Sequence, residues 1–253
     1  MAIDGPSQFP VDQHLVTFSE PRSFEAEQYQ RLRQQIERLS ATRQLKVIAV
    51  TSAVVGDGKT FTALNLAGAL VQRKDRKVLV IDADLRRPSV MPRLGLDAPD
   101  EGLATALQST NGSFLHHVRP IPGTTLAVLP GEVAKASTYE LLTSPKFAEL
   151  MKEARAKYDF VVIDTPPVLP MPDSGLMKDL VDGYLLVVSA RSTPRKLVGE
   201  ALNQLDPASV IGLVYNRDDR PLFGFYRSHY RQYFRAYVKS VSEGPFALKV
   251  TVK

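Results

Sequence analysis

The chain has no cysteine, which excludes a disulfide framework and any thiolate-ligated metal site. Long apolar runs are also missing: nothing approaches the about 18 to 20 residues that span a bilayer. The opening "MAIDGPSQFP" has neither the basic start nor the apolar stretch of a secretory signal. Work at a membrane would therefore depend on contacts with other molecules. Excess charge of one sign is small, +5 at pH 7 over 253 residues, too little to imply nucleic acid without a spatial cluster. One cluster exists, "FYRSHYRQYFRAYVKS", where Tyr226, Tyr230, Tyr233 and Tyr237 alternate with Arg227, Arg231, Arg235 and Lys239. A hydrophobic content of 44% excludes a disordered chain. The length suits one large α/β domain, or at most two small ones.

Residues 1–21, with Gly5, Pro6, Pro10 and Pro21, read as an irregular lead-in. Ser23 then caps an expected helix over 22–42, whose Tyr29, Leu32, Ile36 and Leu39 share one face. From residue 45 to 217 short β-branched runs alternate with helical stretches. The runs are "KVIAVTS", "KVLVIDAD", "TLAVLP", "DFVVIDTPP", "GYLLVVSA" and "VIGLVYN". Each is too apolar to leave a face in water, so the expected fold is a three-layer, doubly wound, mainly parallel sheet with helices on both sides. Ser144 and Pro145 mark a helix start within it. Residues 218–253 are expected to form a Tyr- and Arg-rich helical tail.

Directly after the first run comes "TSAVVGDGKT". A strand, a glycine-containing turn and a helix make the context in which a P-loop cradles phosphate. Gly56 and Gly58 let the amides of Gly56, Asp57, Gly58, Lys59 and Thr60 curl round phosphate oxygens, with Phe61 completing the nucleotide-binding run. Lys59 would hold the β- and γ-phosphates and the Thr60 hydroxyl Mg2+. The motif's first glycine is Ala53 here, and "GDGKT" alone is a weak signal. Two further runs strengthen it, one ending in Asp82 and Asp84 before Arg86 and Arg87, the other in Asp164. Ligands of a parallel sheet sit beyond the carboxyl ends of its strands, so three carboxylates and the loop should converge there. Thr60, Asp82 and Asp164 supply hard oxygen donors for Mg2+, and the site is read as one for a nucleoside triphosphate, ATP, with Mg2+.

With these residues in place the chain resembles the bacterial tyrosine kinases of capsule and exopolysaccharide systems, a branch of P-loop proteins related to the cell-division and partition ATPases. The resemblance runs from about residue 14 to 240 through "HLVTFSEPRSFEAEQYQRLR", "SAVVGDGKT", "VLVIDADLRRP", "ASTYELLTSPKF", "VVIDTPPV", "VDGYLLVV" and "GLVYNR". The cell-division ATPases carry a second lysine where this chain has Val54, which favours the kinase branch. By this resemblance Lys59, Asp82, Asp84 and Asp164 are catalytic, with Asp82 receiving the tyrosine proton, and Asn216 recognises adenine. Arg86 or Arg87 either supports the charge network or forms surface ion pairs. The family's helical motif E-x-x-R-x-x-R is met at Glu27 and Arg33, but Gln30 replaces the middle arginine. That removes a charge-assisted contact and predicts weaker self-assembly, or the use of Arg31 instead.

The resemblance further implies a membrane-embedded chain-length regulator as activating partner, a phosphotyrosine phosphatase, and a cytoplasmic, membrane-peripheral location. Nucleic acid is not an expected partner. Tyr226, Tyr230, Tyr233 and Tyr237, at i, i+4, i+7 and i+11, would share one side of a helix. Taken alone such a stripe is a packing face; in this family it becomes a set of phosphoacceptors. Each phosphate adds about −1.5 to −2 charges, which the interleaved arginines would pair. The leading expectation is an autophosphorylating tyrosine kinase regulating polysaccharide synthesis or export. The alternatives are a non-catalytic ATP-binding switch on the same machinery and a positioning ATPase.

Overall fold

A computed structural model describes residues 11–73, 75–109, 113–218 and 248–251. Two helices precede the sheet, α1 (Val16–Ser19) and α2 (Phe24–Arg43). The sheet region opens with β1 (Val47–Ser52), α3 (Lys59–Val71), β2 (Val78–Asp82), α4 (Val90–Arg93) and α5 (Leu103–Gln108). It continues through β3 (Arg119–Pro120), β4 (Leu126–Leu129), α6 (Thr138–Leu142), α7 (Pro145–Lys157) and β5 (Phe160–Asp164). It ends with β6 (Gly183–Ser189), α8 (Arg195–Leu205), β7 (Val210–Asn216) and β8 (Leu248–Thr251).

The strands lie in the order β3-β4-β2-β5-β1-β6-β7-β8. All neighbours run parallel except β3 with β4. The six expected runs supply β1, β2, β4, β5, β6 and β7, and five of these are buried from end to end. Their side chains alternate between two cores, as the two-residue period of a strand requires. Ile48 and Val50 pack with Leu32 and Ile36 of α2 and Leu64 and Leu66 of α3. On the opposite face Leu79, Ile81 and Ile163 meet Phe147, Leu150 and Met151 of α7, while Ala49 and Leu186 meet Ala201 and Leu205 of α8. Helix starts follow local chemistry: the Ser23 and Ser144 hydroxyls accept from the amides of Ala26 and Phe147, with Pro145 in the first turn.

The lead-in departs from the irregular segment expected. Its α1 turn buries Leu15 and Phe18 against the core. Asn65 of α3 holds the turn, its Oδ1 accepting from the Thr17 amide at 3.0 Å and its Nδ2 donating to the His14 carbonyl at 2.9 Å. In α2, Gln30 donates to Gln72 Oε1 at 2.6 Å. The residue in the motif arginine's place thus ties α2 to the end of α3. Residues 219–247, and with them all four tail tyrosines, lie outside the described residues. At 248–251 the expected helical tail is instead a strand, β8, pairing with β7 from Gly212–Leu248 to Tyr215–Thr251.

At the edge opposite the strands' carboxyl ends, Asp182 fixes the entry to β1. Its Oδ2 accepts from the amides of Lys46 and Val47 at 2.7 and 2.6 Å, and Arg155 grips the same carboxylate at 2.8 and 2.9 Å. Burial opposes the charge on Asp182, but Arg155 and the two amides outweigh it and hold the carboxyl below its ordinary value. A depressed carboxylate contributes stability that is present above its unfolded pKa, about 4, and is lost as pH falls through the lower folded value. Asp182→Asn should therefore cost about 1–2 kcal/mol at pH 7, with the gap to wild type narrower at pH 3. Urea unfolding of both proteins at the two pH values measures it.

Candidate functional site

The site is built where β1, β2, β5 and β7 end. After β1 the chain turns through Gly56 and Gly58, whose φ values of 92° and 96° lie in the left-handed region that favours glycine. This turn leads straight into α3, which begins at Lys59 and directs its positive end and its unpaired first amides into the loop.

Lys59 and Thr60 reach across to the acidic strand ends. Lys59 Nζ lies 2.9 Å from Asp84 Oδ2 and 3.6 Å from Asp164 Oδ1. The Thr60 hydroxyl donates to Asp164 Oδ2 at 2.6 Å. Asp82 faces Asp164 across the parallel pair β2 and β5. Its Oδ2 accepts from the amides of Ser89 and Val90 at 2.8 and 2.9 Å, and its Oδ1 from that of Asp84 at 3.2 Å. The expected convergence of three carboxylates on the loop is therefore present.

The electrostatics follow from burial. Asp82 and Asp164 are almost fully enclosed. Desolvation first, and the neighbouring Asp164 second, push the Asp82 carboxyl up to about 7. Burial likewise raises Asp164, against the pull of Lys59 and the Thr60 hydroxyl. Burial works against the cation on Lys59, but Asp164 and Asp84 outweigh it and raise its pKa. Each charge in the cluster thus depends on the others, an arrangement that favours function over stability.

The donor set fits a hard cation. Asp164 Oδ1 is buried and has no hydrogen-bond donor, and the Thr60 hydroxyl sits at the other oxygen of the same carboxylate. Among the described residues no three acidic or histidine side chains form a metal cage. Mg2+ is a hard cation that takes oxygen donors of this kind, one or two carboxylates together with water and phosphate.

The remaining predicted residues fall around this cluster. Arg87 is exposed, its amide donating to Asp84 Oδ1 at 3.1 Å. Arg86 is exposed on the wall of an open groove of about 440 Å³ lined also by Leu85, Val133 and Tyr139. Phe61 packs at the edge of the α2–α3 core, with the Arg93 guanidinium 4.7 Å above its ring. Asn216 ends β7 against the loop, its Nδ2 donating to the Asp57 carbonyl at 2.8 Å and its Oδ1 accepting from the Arg217 amide at 3.0 Å.

Three residues were not read from the sequence. Ser89 brings its hydroxyl to 3.3 Å from that of Thr60. Gly131 closes on Asp82 so tightly that a Cβ would lie 2.9 Å from its carbonyl oxygen. Thr193 donates its hydroxyl to Asp57 Oδ1 across 136 residues of sequence. The glycine and the serine beside a strand end were weak signals; Thr193 had none.

Residues 45–192 match a family model described as an AAA domain. The tyrosine-protein kinase YwqD of Bacillus subtilis is 35% identical over 81% of this chain and 86% of its own length. The succinoglycan biosynthesis transport protein ExoP of Rhizobium meliloti is 33% identical over 81% of this chain, which spans only 26% of that protein. Among solved structures the chimerical protein CapA2B2 superposes with a TM-score of 0.76 at 27% identity, covering 83% of this chain and 93% of its own.

Proposed function

The chain belongs to the bacterial protein-tyrosine kinases built on a P-loop fold, and we propose that it transfers the γ-phosphate of Mg-ATP to tyrosines in its own residues 226–237. The observation that carries this reading is the meeting of Lys59, Thr60, Asp82, Asp84 and Asp164 at one sheet edge. In the proposed reaction the Lys59 ammonium exchanges Asp84 for phosphate oxygens, and the loop amides of Gly56 to Thr60 share that charge. Mg2+, held by the Thr60 hydroxyl with Asp164 and Asp82 behind it, would supply neutralisation of the phosphate oxygens. Asp82 takes the phenolic proton as the tyrosine oxygen bonds to the γ-phosphorus. The bond from that phosphorus to the bridging oxygen breaks, and ADP leaves. Asn216 belongs to the nucleotide site through its hold on the loop.

Among the described residues no helix is long and apolar enough to cross a membrane. We place the protein at the inner face of the cytoplasmic membrane through a membrane-embedded chain-length regulator, with a phosphotyrosine phosphatase reversing its modification. The name of ExoP supports a role in polysaccharide synthesis or export. The test is incubation of the purified chain with ATP and Mg2+, alone and with its regulator, followed by mass-spectrometric mapping. Phosphate on Tyr226, Tyr230, Tyr233 or Tyr237 is expected. A chain that binds ATP yet gains no phosphotyrosine with the regulator present would be a non-catalytic switch.

A further inference from the structure

Asp57 occupies the middle of the phosphate loop, and only 2% of its surface is exposed. One loop amide and two residues distant in sequence fasten it. Its Oδ2 accepts from the Val54 amide at 3.4 Å, inside the loop, and its Oδ1 accepts from the Thr193 hydroxyl. Its carbonyl accepts from Asn216 Nδ2 at 2.8 Å. The Asn216 amide also fills the space that a side chain at Gly58 would need: a Cβ there would lie 2.0 Å from Nδ2.

Thr193 is itself fixed. It lies in a tight turn after β6, where the amides of Ser192 and Thr193 donate to the Ser189 carbonyl at 3.2 and 3.1 Å. Arg191 in that turn has a φ of 61°, in the left-handed region. The Ala190 amide donates to the Asn216 carbonyl at 2.8 Å, so the ends of β6 and β7 are tied to each other as well as to the loop.

We propose that Thr193 is a positioning residue for nucleotide: with Asn216 it clamps Asp57 and holds the loop amides in the curve that phosphate requires. The inference rests on the reading of this loop as an ATP site. A hydroxyl given to a buried carboxylate is a charge-assisted bond, and its loss leaves that carboxylate short of a donor. Val54 alone would then hold the Asp57 side chain, and the loop would have to be ordered by the nucleotide itself. The effect therefore falls on binding, while the phosphate-transferring groups stay intact.

The experiment measures the Kd of a fluorescent ATP analogue with Mg2+, and the melting temperature, for the full chain and three variants. Thr193→Val keeps the shape and removes the hydroxyl; it should weaken binding about tenfold and lower the melting temperature by no more than a few degrees. Thr193→Ser restores the donor and should bind within about twofold of wild type. Asp57→Ala, which removes the acceptor, should weaken binding at least as much as Thr193→Val, and the double variant Thr193→Val with Asp57→Ala no further than Asp57→Ala alone, because the hydroxyl then has no contact left to lose. Wild-type affinity in Thr193→Val, or additive losses in the double variant, would overturn the clamp while leaving the ATP site standing. Failure of wild type to bind the analogue would overturn both.

Discussion

Lys59→Met should lower tyrosine phosphorylation by about a thousandfold, the loss expected when one preorganised charge is removed from a phosphoryl-transfer site. Lys59 is the cation that both Asp84, at 2.9 Å, and Asp164, at 3.6 Å, face. Its removal takes away the group proposed to hold the β- and γ-phosphates and also strands buried carboxylates. The second consequence is separable. Breaking a buried ion pair from one side costs about 3 kcal/mol, and the loss should grow as pH rises, because the carboxylates must then stay ionised without their cation. Adding Asp164→Asn to Lys59→Met should recover part of that stability and none of the activity. Urea unfolding together with a kinase assay on the single and double variants decides it.

Asp164→Asn alone should separate the two properties in the opposite sense. Asparagine keeps an oxygen for the Thr60 hydroxyl, which now donates at 2.6 Å, and leaves Lys59 its bond to Asp84. It also removes the charge that, after burial, does most to push Asp82 up to about 7. The folded chain should be as stable as wild type or more so. Phosphoryl transfer should fall by about a hundredfold to a thousandfold, since the carboxylate beside the hydroxyl proposed to bind Mg2+ is gone. More than a tenth of wild-type activity in this variant would remove Asp164 from the mechanism. A large drop in melting temperature would show that the carboxylate serves the fold.

The sheet was legible because buried parallel strands must be apolar on both faces. "VIAVTS", "VLVID" and "FVVID" leave no polar side to turn outward. The caps at Ser23 and Ser144 were legible because a single hydroxyl beside a helix start has a local use. The loop and its three carboxylates were legible because each stands where an apolar strand stops. β3, two exposed residues long, has no pattern to read, and β8 was masked by a segment whose tyrosine spacing suggests a helix. The α1 turn escaped because its order comes from Asn65, 48 residues on from Thr17. The clamp on Asp57 escaped for the same reason: its donors arrive from 136 and 159 residues away, and only the folded sheet brings them together.

Phosphate should move at this site from ATP to tyrosine. Phosphoamino-acid analysis of the chain after incubation with γ-labelled ATP and Mg2+, in the presence of its membrane regulator, tests it most directly. Label on tyrosine, lost in Lys59→Met, is the predicted result. Release of inorganic phosphate with no label on tyrosine would contradict the claim and assign the site to an ATPase.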